Sequence, residues 1–231
     1  MRCVLCLRWH AGASVLRCSH LNRALALQRE FCMQLPTKYI LDREAIKLNA
    51  YRLLSHFYAN KEISRQVDPD NRDDAIAKLE DDYFQREMSR LLLEVAIALR
   101  VLDDQMKKYD AASDIRKSYD SALANVNHKH NCMMFDKMSL REVCNKIIHA
   151  DTVEPHIRES EDGNHKYDNY NWLGWSEAIE QTGDNTIPKP DPIKWKHLTN
   201  NIRLGGSRGK KEWWHLLQVP TFVRAISELL K

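Results

Sequence analysis

The sequence predicts a mainly α-helical fold: an antiparallel helical bundle with a small β-hairpin or sheet appendage and a C-terminal helix. The chain of 231 residues has only seven glycines and is rich in Leu, Ala, Glu, Lys and Arg, which favour helix. In its longest segment without a helix breaker, apolar residues recur at alternating spacings of three and four, as in helices packed along a bundle seam. A chain of this length can bury a hydrophobic core.

Two helices are expected first. Residues 41–60 form an amphipathic helix whose inward face consists of Ile46, Ala50, Leu53 and Phe57. The second helix runs from about residue 73 to residue 112, and the acidic run 68–74 supplies its N-cap candidates. Its seam contains Leu92, Val95, Leu99, Leu102, Met106 and Tyr109. Because Leu91, Leu93 and Ile97 make other faces of this helix apolar too, we expect it to be central.

Shorter elements follow. A helix is predicted around residues 115–124, another from Ser139 to Ala150, and a short strand over residues 152–157. The polar residues 158–192 suggest a long excursion without regular structure, which Trp172 and Trp175 anchor by packing.

The C-terminal part carries a hairpin signal and a last helix. Residues 197–204 and 211–219 are predicted strands, and the Gly-rich residues 205–209 are the predicted turn between them. Pro220 then opens a helix with an apolar inward face. That face contains Phe222, Val223, Ile226 and Leu229 or Leu230.

These elements divide the chain into three predicted regions: an N-terminal extension (1–32), a helical bundle (33–151), and a small β-hairpin plus C-terminal helix packed on the bundle (152–231). Residues 1–32 hold five arginines and one acid, a net charge of +4, so the other residues carry −1 of the total of +3. Any nucleic-acid surface on the body must therefore be a local patch. No run of about 18 apolar residues occurs, so no membrane partner is expected.

The first 32 residues hold four of the six cysteines, and three interpretations stay open. Cys3, Cys6, Cys18 and His20 have ligand types for a zinc site, and the Arg-rich, acid-poor composition also fits a transit peptide. We prefer an upstream extension, with the folded protein beginning near Met33. The remaining cysteines suggest no disulfide framework, which indicates a cytoplasmic location.

A second cysteine–histidine segment lies between the third and fourth predicted helices. In it His128, His130 and Cys132 alternate, so they could meet a metal in an extended strand. A solvated loop is the preferred interpretation. No metal or cofactor is predicted for the chain.

The Ser139–Ala150 segment points most directly to chemistry. Ser139 and Glu142 form a capping box, and apolar residues fill one face of the helix that follows. Arg141, Asn145 and His149 lie within an arc of roughly 80° beside that face, at about 100° per residue. A guanidinium, an amide and an imidazole so aligned can hold a phosphate and move a proton. We therefore take these three as candidate catalytic residues.

Structural interpretations compete with the catalytic ones. His149 would interact with the last carbonyls of its helix, and Arg141 would be an i, i+4 surface residue or form an ion pair with a neighbouring helix. Cys144, on the apolar stripe, is interpreted as a small buried side chain. The Gly-rich turn near Arg208, with Lys210 and Lys211 beside it, is either a phosphate cradle that binds nucleic acid or a plain hairpin turn.

The Ser139–Ala150 segment resembles the HEPN superfamily, four-helix-bundle proteins common in prokaryotic toxin–antitoxin and phage-defence systems. The sequence from Leu140 to Ala150, LREVCNKIIHA, matches the family's pattern at the leucine, the first arginine, the glutamate, the asparagine, the histidine and the final small residue. It departs from the pattern at Cys144, where the family places its catalytic arginine. Arg141 lies one turn earlier.

The resemblance implies a homodimer whose paired motifs form a cleft, metal-free RNA cleavage by His and Arg, and a cognate antitoxin or neighbouring-gene partner. A metal-independent endoribonuclease with a toxin or phage-defence role is therefore the first functional hypothesis. A catalytically inactive HEPN-like module that binds RNA, nucleotide or protein is the second. A helical interaction protein with no nucleic-acid role is the third.

Overall fold

Helix is the main secondary structure of the residues described by the structure, a computed structural model. It describes residues 41–68, 73–209 and 211–231. In chain order their elements are α1 (Arg43–Gln66), α2 (Ala75–Met106), α3 (Asp114–Lys129), α4 (Leu140–Ile148), β1 (Thr152–Ser160), α5 (Lys166–Thr182), β2 (Trp195–Arg208), β3 (Lys211–Gln218) and α6 (Val219–Leu229). The predicted mainly helical fold with a small sheet is confirmed for this part of the chain.

Helices α1 and α2 pack against each other and run antiparallel. The Asn49 amide donates to Glu94 over 3.1 Å and the Asn60 amide donates to Glu80 over 2.7 Å, so early residues of α1 face late residues of α2. The apolar face predicted for α1 is buried, with Leu53 fully inaccessible. Burial of this face, rather than helix propensity, supplies most of the stability of such a helix.

The seam predicted for α2 is also buried from Leu92 to Met106, but the helix is less enclosed than expected. Of the three apolar residues that led us to expect a central helix, Leu91 is buried, whereas Leu93 is 42% exposed and Ile97 is 44% exposed. The helix also ends at Met106, six residues before its predicted end. Helix α3 then begins after its N-cap, Ser113.

The three strands form one antiparallel sheet with the order β1-β2-β3. The predicted turn at residues 205–209 is wrong in extent. Gly205 pairs with Trp214 and Gly206 pairs with Trp213, so both glycines belong to β2. The direction of the chain changes only beyond Arg208, where Gly209 has a φ of 65°.

Residues 158–192 contain helix α5, which the sequence analysis missed. His165 and Asp168 form its capping box, and Gly183 ends it with a φ of 68°. The His165 Nε2 atom lies 2.9 Å from the Val67 carbonyl oxygen at the end of α1, so a buried histidine holds α5 in place. The apolar pattern failed to reveal this helix because it buries little more than Asp168.

The inner face of the sheet completes the core together with α1 and α6. Its buried residues include Ile202, Leu204 and Leu217, and α6 contributes Phe222 and Ile226. No helix in the described part of the chain is long and apolar enough to cross a bilayer.

The segment before α4 lies along β3 and is not the solvated loop that was predicted. The backbone N–H of Gln218 donates to the Cys132 carbonyl and that of Met134 donates to the Leu216 carbonyl. Cys132 is 1% exposed, so its thiol belongs to the core. The candidate ligands of residues 1–32 lie outside the described residues.

Leu53→Ala tests how far the α1 face determines stability. Because Leu53 is fully buried, its truncation should reduce the free energy of unfolding by about 2–5 kcal/mol. Leu48→Ala on the same helix is the matched control, since Leu48 is 46% exposed and should lose less than about 1 kcal/mol. Urea denaturation measures both variants, and equal losses would contradict the burial described for α1.

Candidate functional site

Helix α4 carries the candidate residues, and its first turn fixes its position. The Ser139 hydroxyl accepts from the Glu142 backbone N–H, and the Glu142 carboxylate accepts from the Ser139 backbone N–H over 2.8 Å. Both halves of the predicted capping box are therefore present. The apolar face of α4 packs on α2, with Val143 fully buried. The polar stripe is consequently held at the edge of the core.

Arg141 turns toward α2. Its guanidinium forms ion pairs with the Asp103 and Asp104 carboxylates, the second at 2.9 Å. Asp103 is only 4% exposed, and desolvation together with nearby Arg100 lowers the pKa of Arg141. Because carboxylates of its own chain already pair with it, this guanidinium is not free to bind a phosphate beside His149.

Cys144, which stands where the resembling family has its catalytic arginine, lies in the core and is 1% exposed. Burial raises the pKa of its thiol to about 12. A cysteine acts as a nucleophile through its thiolate, so this side chain is inert at neutral pH.

Asn145 and His149 open into a cleft of about 680 Å³, which we call the helix-end cleft. It lies between the C-terminal end of α4 and the end of the β2–β3 pair. Its lining comprises Glu142, Asn145, Lys146, Ile148, His149, Ala150, Asp151, Ser207, Arg208 and Trp213. The cleft therefore brings together residues of two separate candidate groups, Asn145 and His149 from the predicted catalytic group and Arg208 from the predicted nucleic-acid-binding group.

The polar side chains of Asn145 and His149 are available to a ligand. Asn145 is half-buried and His149 is exposed at the C-cap of α4. Neither side chain forms a hydrogen bond with another residue that the structure describes. The backbone N–H of His149 instead donates to the Asn145 carbonyl, which holds the two residues in a fixed relation.

Trp213 forms one wall of the helix-end cleft, and sequence reasoning missed its role. The Lys146 ammonium lies 4.1 Å from the centroid of the Trp213 ring, within range of a cation–π interaction. The ring fits closely because Gly206 has no side chain. A Cβ atom there would lie 2.4 Å from the ring and 3.1 Å from the His149 carbonyl oxygen. The sequence signal for this close packing is the Gly205-Gly206 pair, for which the sequence predicts a turn.

His215 supports this wall from the core side. Its ring stacks on Trp213 with centroids 5.4 Å apart, and its Nδ1 atom lies 2.7 Å from the Asp136 carboxylate. An imidazole held on both sides cannot rotate freely, so Trp213 has a rigid backing. His215 is a supporting residue that the apolar pattern did not reveal.

The acids of the cleft are engaged by their own neighbours. One Glu142 carboxylate oxygen belongs to the capping box, and one Asp151 oxygen accepts from the Ser207 backbone N–H over 3.0 Å. Across the described residues, Lys146, Arg208 and Lys211 have no carboxylate within ion-pair distance. Arg208 and Lys211 also pair directly across the strands, which places like charges together. Lys210, the third predicted cation, lies outside the described residues.

The described residues contain no group of three or more His, Cys, Asp or Glu side chains that could hold a metal ion. His128 lies within α3, Cys132 is buried, and the His130 ring lies 3.2 Å from the Glu228 carboxylate. The alternating segment is therefore divided between a helix, a contact with Glu228 and the core.

Gly206→Ala tests the close packing of the cleft wall. The added methyl group must displace the Trp213 ring or the α4 terminus, so the free energy of unfolding should fall by about 1–3 kcal/mol. Gly174→Ala is the matched control. No atom lies within 4 Å of its added Cβ, and a helix interior should gain about 0.5–1 kcal/mol from alanine. Chemical denaturation checks both signs, and a neutral Gly206→Ala would contradict the packing.

Comparison of this chain with protein-family models, with curated proteins and with solved structures found no match. The resemblance to the HEPN superfamily consequently rests on the Ser139–Ala150 segment, and the function has to be argued from the geometry of the cleft.

Proposed function

We propose that this chain is a HEPN-like RNA-binding protein that holds RNA phosphates in the helix-end cleft without cleaving the strand. The observation that carries the proposal is the meeting of Asn145, His149 and Arg208 in one cleft. An amide, an imidazole and a guanidinium are the donors that phosphate oxygens accept from in protein–nucleic acid complexes. They come from two distant parts of the sequence.

The charge distribution supports phosphate as the ligand. Lys146, Arg208 and Lys211 carry positive charges that no described carboxylate pairs with, at one end of a body whose total charge is almost balanced. Arg208 faces Lys211 directly across β2 and β3, and this repulsion would be relieved by a bound anion. A local patch of this kind supplies the sequence-independent part of RNA affinity.

The position of Arg141 argues against catalysis. The HEPN resemblance implies that metal-free RNA cleavage needs a His and an Arg together, with the Arg stabilising the phosphate. Here Arg141 is paired with Asp103 and Asp104, and Cys144 is a buried neutral thiol. Lys146 is the cation that α4 itself contributes to the cleft, and the guanidinium there, that of Arg208, comes from β2.

Arg208→Ala tests the binding proposal. Fluorescence anisotropy with a short labelled RNA at about 0.1 M salt should show affinity reduced about fivefold, because one phosphate contact is lost. The slope of log K against log salt should also fall by roughly 0.7 for a single strand. Arg224→Ala, at an exposed position of α6 outside the cleft, is the matched control and should bind like the wild type. Equal effects of the two variants would contradict the proposal.

Metal-independent ribonuclease activity is the second candidate. The His149 side chain favours it, because it is exposed in the cleft and forms no hydrogen bond with a described residue. Incubation of labelled RNA with the protein in EDTA should leave the strand intact if the first proposal is correct. Cleavage that is lost in His149→Ala but retained in His128→Ala would establish the second candidate instead. His128 suits this control because it is exposed on α3 and lies outside the cleft.

A toxin or defence role, a homodimer and an antitoxin or neighbouring-gene partner remain part of the proposal as implications of the HEPN resemblance. If the wild-type protein bound no RNA, a helical protein-interaction module would replace both functions.

A further inference from the structure

The outer face of the sheet carries a second cleft, of about 540 Å³, which we call the sheet-face cleft. Trp213 and Trp214 are adjacent on β3, so their side chains point to opposite faces of the sheet. Trp214 is 55% exposed on the outer face, opposite Gly205. Gly205 and Thr152 line the cleft beside the indole, and the Thr152 side chain lies over Gly205, where a Cβ atom would be 2.4 Å from the Thr152 Oγ1.

A flat ring system and a guanidinium face this depression. The Arg203 guanidinium carbon lies 6.0 Å from the centroid of the Trp214 ring, and Arg203 is 59% exposed. A planar ligand between two planar groups needs about twice the van der Waals contact distance, roughly 7 Å. Entry of such a ligand therefore requires the Arg203 guanidinium, which lies 4.0 Å from the Glu154 carboxylate, to move outward from the Trp214 ring. Phe135, 69% exposed, contacts Trp214 edge-on with centroids 6.2 Å apart and extends the aromatic surface.

The sheet-face cleft is the more acidic of the two. Asp151, Glu154 and Glu212 line it against a single cation, Arg203. In the helix-end cleft Lys146 and Arg208 balance Glu142 and Asp151. Carboxylates repel phosphate but accept hydrogen bonds from the exocyclic amino groups of bases. A nucleotide strand would therefore place phosphates in the helix-end cleft and a base in the sheet-face cleft.

The two clefts are neighbours. Asp151, Ser207 and Trp213 line both of them, so one ligand can pass from one to the other around the edge of the sheet. Bases of a duplex are stacked inside it and cannot reach an indole on a protein surface, whereas unpaired bases can.

From these contacts we infer that the protein selects unpaired RNA, with one base stacked on Trp214 while the adjoining phosphate occupies the helix-end cleft. This inference rests on the proposed RNA-binding function and adds the strand type and the residue that recognises it. Aromatic stacking of this kind is tolerant of base identity, so the affinity follows strand type more than sequence.

Trp214→Ala tests the inference by anisotropy with two probes, an adenosine-rich RNA single strand and an RNA duplex of equal length. Loss of one stacked base should weaken single-strand binding about 5-fold to 100-fold and leave duplex binding within twofold of the wild type. Trp214→Phe retains a flat ring and should restore most of the affinity. Trp172→Ala, which removes a tryptophan exposed to a similar degree on α5, should bind both probes normally.

The failures of the two proposals are distinguishable. If Arg208→Ala weakens RNA binding while Trp214→Ala binds the single strand like the wild type, the stacking inference is wrong and RNA binding stands. Equal weakening of both probes by Trp214→Ala would also overturn it, because stacking would not discriminate in that way. Absence of RNA binding by the wild type would overturn both proposals. Because Trp214 is half-exposed, its variants are expected to fold, which a thermal melt checks.

Discussion

A single buried carboxylate, that of Asp103, links three helices and determines how the polar stripe of α4 is used. Asp103 lies on α2, accepts from the Tyr119 hydroxyl of α3 over 3.2 Å and pairs with Arg141 of α4. The Lys107 ammonium adds a further contact at 2.9 Å. A carboxylate buried to this degree is costly unless charged and hydrogen-bonding partners surround it. Arg141 is one of those partners and is thereby held away from the cleft.

This constraint divides the α4 stripe between two tasks. Arg141 serves the packing of α4 on α2, whereas Asn145 and His149, one and two turns later, lie beyond the reach of Asp103 and open into the helix-end cleft. The cation that joins them there is Arg208, contributed by β2. The three residues of the stripe therefore have different roles, because Arg141 faces α2 whereas Asn145 and His149 face the cleft beside β2.

Local patterns were sufficient for much of the fold. The capping box at Ser139, the buried face of α1 and the seam of α2 could be predicted because each depends on residues within a few turns of one another. Helix α5 could not, since its anchors are the buried His165 and Asp168 rather than an apolar stripe. A glycine pair before a basic segment favours a turn, so the sequence predicts a turn at Gly206. The close approach of Gly206 to Trp213 could not be predicted, because Trp213 lies on the neighbouring strand.

The sequence by itself determined which residue types stand on one edge of the Ser139–Ala150 helix, because helical geometry sets their angular positions. It also determined that Cys144 falls on the apolar face. Only the tertiary structure decided that Arg141 faces Asp103 and Asp104, although Asp104 is 37 residues away in sequence. It also decided that Arg208 and His149 line the same cleft. Ion pairs and clefts form between elements, and their partners depend on how the chain packs rather than on the spacing within one helix.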